Sequence, residues 1–376
     1  MNMIKRSFIP VNIPLLDGNE KTYLNECIDT GWISSEGPFI KKFEDIFSKK
    51  VNRKHGIAVS SGTAALDIAI EALGIGSGDE VILPTFTIIS CIGQIIRCGA
   101  KPVLIDSDPT NWNMDISQIE SKITARTKAI MIVHIFGLPV DLDPVLALAQ
   151  NHGLKVIEDA AQMLGQTYNG KPCGSFGDIS VFSFYPNKMI TTGEGGMIVA
   201  DGNQLAEVCC SLRNLCFQAS RRFVHDRLGW NYRMTNLQAA LGLAQLERLD
   251  KMVLLKRRMG KLYAKLLNEL SCVQLPLANT DYAENIFWVF GLVLDEAKGL
   301  DAAETMKKLT EKGVGCRPFF FPMHQQPVFK KMGMFESECY PVAERLYRQG
   351  FYIPSGLGLK DEEIEDVARI VTELLA

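Results

Sequence analysis

No basic excess, no membrane-length apolar run and no paired-cysteine motif occur in this chain of 376 residues. Lys and Arg number 40 against 43 Asp and Glu, a formal net charge of −3. That balance offers nothing to hold a nucleic-acid backbone, so no nucleic-acid partner is expected. No stretch approaches the roughly 18 consecutive apolar residues that a bilayer span requires, so no membrane contact is expected. The ten cysteines are scattered, and none form Cys-x-x-Cys or a Cys/His set with zinc spacing. No metal is expected, and the thiols are expected to be free in a reducing cytoplasm. The opening MNMIKRSFIPVNIP has no apolar stretch of the kind a secretion signal needs. Gly-x-Gly-x-x-Gly is missing after the first expected strand, where SSGTAA stands instead. That counts against a nicotinamide dehydrogenase.

What remains has an ordinary globular composition, 47% hydrophobic and 22% charged. The length suggests two domains, or one large domain with an appendage. Residues 56–60, 80–83, 102–105, 129–134 and 155–158 read as short apolar strands, and 62–73, 87–97 and 142–151 as helices between them. Near-continuous Val/Ile/Leu runs separated by helices predict a mainly parallel sheet covered on both faces. Residues 178–184 and 196–200 read as a close strand pair at one end of it. A helical stripe begins near Met234, with Thr235 or Asn236 as its cap, and continues towards Leu270. Beyond it, 286–294 reads as a strand, and 301–312 and 361–375 as helices. The expectation is an α/β chain with a large domain over 1–250 and a smaller one over 251–376.

Open α/β sheets bind ligands beyond the carboxyl ends of their strands. Three clusters fall there. Gly62 and Thr63 follow the first strand at a helix start, where free N–H groups and the helix dipole suit a phosphate. Asp159 ends a strand and could pair with a protonated ring nitrogen, with Gln162 three residues on for a neighbouring ring oxygen. Lys188 follows a strand and a Pro turn and precedes the Gly-rich Gly193–Gly196. A desolvated lysine there has a lowered pKa and a nucleophilic amine, and Ser183 adds another phosphate contact. Each cluster alone has an ordinary alternative: a Ser/Thr helix cap, an Asp N-cap, a surface lysine. Together they supply what pyridoxal 5'-phosphate needs.

The segments SGTAALDIAI, EDAAQMLG and SFYPNKMITTGEGGM resemble the DegT/DnrJ/EryC1/StrS sugar aminotransferases, of the fold-type I pyridoxal-phosphate class. The resemblance runs from Ile13 to the last helix. It implies a seven-stranded sheet between helices and a small α/β domain. It implies Lys188 as the Schiff-base lysine, with Asp159 on the pyridine nitrogen and Gln162 on the ring hydroxyl. Gly62, Thr63 and Ser183 would bind the phosphate, and Phe86 would stack on the ring. The pyridoxamine form would be the cofactor's intermediate form. Asn231 would reach the cofactor phosphate of a partner subunit, which implies a homodimer with shared active sites. The implied reaction moves an amino group from L-glutamate to a nucleotide-linked 4-keto-6-deoxy hexose. The segments 231–250, 317–324 and 352–357 are most similar to members acting on GDP-4-keto-6-deoxymannose, in the making of bacterial surface polysaccharides such as O-antigen. Arg317, His324 and the loop with Trp32, Ser34 and Ser35 are candidate sugar or phosphate contacts. The alternatives are a UDP- or dTDP-linked sugar, a pyridoxamine-dependent dehydratase (which would replace Lys188 by histidine) and a non-catalytic regulator.

Overall fold

The structure is a computed structural model that describes residues 8–218 and 220–375. Seven strands form the main sheet: β1 (His55–Val59), β2 (Glu80–Pro84), β3 (Lys101–Ile105), β4 (Thr127–Val133), β5 (Lys155–Asp159), β8 (Ile179–Ser183) and β9 (Gly196–Ala200). A small hairpin of β6 (Thr167–Tyr168) and β7 (Lys171–Pro172) lies outside it. The order across the sheet is β1-β9-β8-β5-β4-β2-β3. Strands β3, β2, β4, β5 and β8 run parallel, and β9 pairs antiparallel with both neighbours. The β8–β9 pair therefore forms as expected, but β1 closes the edge beyond it. Which strand comes to lie outside a local pair is a long-range matter that local periodicity does not carry.

Strand alternation divides the core into two layers. Val81, Leu83, Met131, Val133, Ile157 and Val181 face one cluster. Ile82, Ile130, Ile132, Val156 and Phe182 face the other. Helices cover both faces, as the unbroken apolar strands require.

The long helical pattern is two helices, Asn236–Leu246 and Leu249–Leu267. Thr235 caps the first through a capping box with Gln238. The second helix leads to a four-stranded antiparallel sheet, β10 (Val273–Gln274), β11 (Phe290–Leu294), β12 (Arg317–Pro318) and β13 (Gly350–Ile353), in the order β10-β11-β13-β12. A third cluster, including Tyr263, Phe290, Leu292, Phe351 and Val367, fills this part. Among the described residues no helix is long and apolar enough to cross a membrane.

One helix start differs from expectation in a way that matters. The helix expected from residue 87 begins at Ser90. Thr87 and Ile88 stay in the preceding loop and line a cavity.

Candidate active site

A cavity of about 340 Å³ opens at the carboxyl ends of the parallel strands. Asp159, the last residue of β5, forms part of its wall and is 5% exposed. Its Oδ1 accepts from the Ala161 N–H at 3.0 Å, and its Oδ2 accepts from the Cys91 thiol at 3.2 Å. Burial pushes the Asp159 pKa up. Gln162 also lines the cavity, and its Oε1 accepts from the Phe136 N–H at 2.6 Å. The side-chain NH2 is then the group it offers to a ligand.

The opposite wall is built from hydroxyls and a helix start. Ser61 caps the helix Gly62–Ala72 by accepting from the Ala64 N–H. The N–H groups of Gly62 and Thr63 lie in the first turn, where no intrahelical acceptor exists. Thr63 Oγ1 is 2.8 Å from Ser90 Oγ, and Ser183 ends β8 beside them. A Cβ at Gly62 would lie 2.8 Å from the Ser183 Cβ. Glycine lets helix and strand end approach this closely.

Lys188 comes from the loop after β8 and lines the same cavity. Burial pulls its amine down to about 8, against the raising influence of the Asp159 charge. The Nζ sits 4.1 Å from the centre of the Trp288 ring. Trp288 in turn donates its indole N–H to the Asn187 carbonyl at 2.7 Å. Pro318, Phe320 and Tyr352 of the C-terminal part complete the mouth.

A model of the DegT/DnrJ/EryC1/StrS aminotransferase family matches residues 14–372. The chain belongs to that family. The GDP-perosamine synthase of Caulobacter vibrioides is 42% identical over 371 residues, 98% of this chain and 98% of that protein. The GDP-perosamine synthase of Vibrio cholerae is 39% identical over 363 residues, 96% of this chain and 98% of that one. The crystal structure of the aminotransferase TlmJ from Streptoalloteichus hindustanus superposes with a TM-score of 0.91 at 27% identity, covering 98% of each chain. The protein is a pyridoxal-phosphate-dependent sugar-nucleotide aminotransferase. The cavity's donor set fits the cofactor: a buried carboxylate for a ring nitrogen, hydroxyls and a helix start for a phosphate, an amine for an aldehyde.

The structure brings Gly62, Thr63, Asp159, Gln162, Ser183 and Lys188 into one cavity. Others lie elsewhere. Phe86 is fully buried among Phe136, Phe319 and Phe320 and does not reach the cavity. Ile88, two residues on, is the side chain that lines it, so the stacking assigned to Phe86 does not hold. His324 is 1% exposed and engaged at both nitrogens, by the Thr85 hydroxyl at 2.9 Å and by the Glu344 carboxylate at 3.0 Å. It is a structural pair, not a sugar contact. Arg317 is exposed on β12, outside the lining residues, although its neighbour Pro318 and its pairing partner Tyr352 are among them. Trp32 and Ser34 give their backbone carbonyls to Asn236, and Ser35 lines a separate cavity of about 480 Å³ with Arg213, Arg222 and Arg233. Asn231 is exposed, with Oδ1 accepting from Arg233 at 2.8 Å, and it is outside the Lys188 cavity of its own chain.

Sequence reasoning missed Trp288, Tyr352, Ser90 and Cys91. Of these, Ser90 and Cys91 had a signal: both follow the PTFT turn directly after β2. His134, Glu158 and Cys173 bring donor atoms within 4.8 Å of one another. His134 Nδ1 accepts from the Val140 N–H, so Nε2 carries the proton and donates to Glu158. Glu158 also accepts from Gly174, Phe176 and Ser180, which makes this a saturated core network under β5.

Proposed function

We propose that this aminotransferase moves an amino group from L-glutamate to C4 of GDP-4-keto-6-deoxymannose, giving GDP-perosamine, as a cytoplasmic homodimer with shared active sites. The observation that carries the chemistry is Lys188, a desolvated amine in a cavity it shares with the buried Asp159. The choice of sugar is supported by relatives named for that product at 39% and 42% identity over nearly the whole chain. The homodimer is supported by Asn231, which lies outside its own chain's cavity, and by the exposed Phe223 and Leu228 nearby in sequence.

When bound, the cofactor supplies an aldehyde for the amine and a ring that accepts electrons. Asp159 would pair with the ring nitrogen and hold a proton on it, which would keep the ring electron-withdrawing. Gly62, Thr63 and Ser183 would hold the phosphate, with Ser90 beside Thr63. Gln162, its Oε1 already taken by the Phe136 N–H, would present its amide N–H groups to the ring oxygen. Lys188 would hold the cofactor's aldehyde and, as a desolvated amine, would be placed to take and return the proton at the reacting carbon. Trp288 covers the amine and limits water around it.

Borohydride treatment of the yellow protein is expected to fix the cofactor on Lys188, read by peptide mass. Fixation elsewhere, or a protein that stays colourless with added cofactor, refutes the chemistry. With glutamate as donor, GDP-4-keto-6-deoxymannose is expected to be aminated in preference to UDP- and dTDP-linked 4-keto-6-deoxy sugars. Amination of a UDP- or dTDP-linked sugar alone refutes the sugar assignment.

A further inference from the structure

The Asp159 carboxylate is gripped from behind by a residue that the reaction chemistry does not itself require. Cys91 lies in the helix Ser90–Arg97 and is 1% exposed. Its Sγ is 3.2 Å from Asp159 Oδ2 and 3.2 Å from the Thr87 hydroxyl. A carboxylate only accepts, so the S–H proton belongs to the Asp159 contact. The sulfur then accepts from the Thr87 O–H. The result is a one-way chain, Thr87 O–H to Cys91 S–H to Asp159. Burial, and then the Asp159 charge, push the Cys91 thiol well up, so the proton stays on sulfur.

We propose that Cys91, backed by Thr87, is a positioning residue that fixes the Asp159 carboxylate and sets how strongly it pairs with the cofactor's ring nitrogen. The inference rests on the reading of Asp159 as that nitrogen's partner. With Oδ1 held by Ala161 and Oδ2 by Cys91, the carboxylate plane is fixed at both oxygens. A thiol is a weaker donor than a hydroxyl or a backbone N–H. It therefore anchors Oδ2 while drawing off little of the negative charge that the ring nitrogen uses. The other titratable groups acting on Asp159 are Lys188, from the loop after β8, and His134, at the end of β4. Neither bonds the Asp159 side chain, so among the described residues Cys91 is the side chain that sets its orientation.

The test is a donor series at position 91 in holoenzyme without substrate: Cys91→Val, the native thiol and Cys91→Ser. The readout is the pH midpoint of the cofactor's visible absorbance, followed by kcat and KM for the sugar. The midpoints are expected to fall in the order of donor strength, with the native thiol between the two variants. Each step is expected to be about half a pH unit, the scale of one modest hydrogen bond. In Cys91→Val, kcat is expected to fall several-fold with KM unchanged. In an Asp159→Asn background the same Cys91→Val change is expected to move nothing, as two residues acting through one contact require. If both midpoints coincide with the native one, or if the shift survives in Asp159→Asn, the proposal is overturned. Cys91→Ala separates donor strength from volume: lacking a donor, it is expected to move the midpoint in the direction of Cys91→Val, and a midpoint that moves with the similarly small Cys91→Ser instead would mark a filler of space and overturn the proposal. If Cys91→Val does not fold, Cys91→Ala takes its place. Failure of the underlying reading looks different: Asp159→Asn alone would leave spectrum and kcat unchanged.

Discussion

Lys188 is an amine whose reactivity is set by its walls. With its pKa near 8 rather than 10.5, it is largely neutral one unit above pH 8. Capture of pyridoxal phosphate by the apoprotein is therefore expected to speed up with pH and to level off a little above pH 8, followed by stopped-flow absorbance. A rate still climbing tenfold per unit at pH 10 would mean that the amine is solvated. His324 makes the opposite kind of prediction. It bridges Thr85 and Glu344 in the interior. Removing it takes a buried partner from each, although Glu344 keeps the Tyr340 N–H, so His324→Ala is expected to lose about 1–3 kcal/mol of stability in urea unfolding. The KM for the sugar in the surviving fraction is expected to stay within about twofold, because His324 does not reach the cavity. At this scale the sequence was readable wherever a residue sits at a strand end: Gly62, Asp159, Ser183 and, one turn on, Lys188. Phe86 was misread because the loop after β2 has no period. Which of Phe86 and Ile88 faces the cavity is decided by the aromatic cluster that claims Phe86.

At the scale of elements, the helix Leu249–Leu267 ties the two sheets together. Leu249, Met252 and Val253 pack in the second core cluster, and Met259, Tyr263 and Leu267 in the third. We propose the division at residue 250, at the start of this helix, which serves both parts. Between its two apolar ends lies Lys256, 2% exposed, donating to the Trp288 and Ser355 carbonyls. Burial pulls this amine from 10.5 down to about 7. The folded-state value lies below the unfolded one, so above pH 7 the native state binds fewer protons than the unfolded chain. Stability therefore rises with pH from about 7 towards 10.5, and below 7 the cost is present in full. The slope from this group reaches at most about 1.4 kcal/mol per pH unit. Lys256→Met is expected to lose that slope, read as the difference between urea midpoints at pH 7 and pH 9. It also frees two buried carbonyls, so its stability at pH 9 is expected to drop below the native protein's.

For the whole molecule, the proposed homodimer with shared sites can be tested by mixing. Lys188→Ala removes the amine from one chain's cavity, and Asn231→Ala would remove the phosphate contact supplied to the partner's. Each homodimer is expected to be nearly inactive. Co-refolding equal amounts is expected to return about a quarter of native activity, because half the dimers are mixed and each mixed dimer carries one intact site. No recovery, with dimers present by light scattering, would place Asn231 outside the partner's site.

The sequence by itself determined the α/β class, the parallel run of strands and the residues at their carboxyl ends, because these follow from local periodicity and from chemistry carried within a few residues. It also held Thr235 as a candidate cap of the helix that follows, which the structure completes as a capping box with Gln238. The tertiary structure alone decided that β9 is inserted between β1 and β8, that Trp288 covers Lys188 from a hundred residues away, that Ile88 rather than Phe86 lines the cavity, and that Cys91 bonds the Asp159 carboxylate. These depend on which side chains compete for the same buried volume. That competition is settled by packing between distant segments, and no local pattern records its outcome.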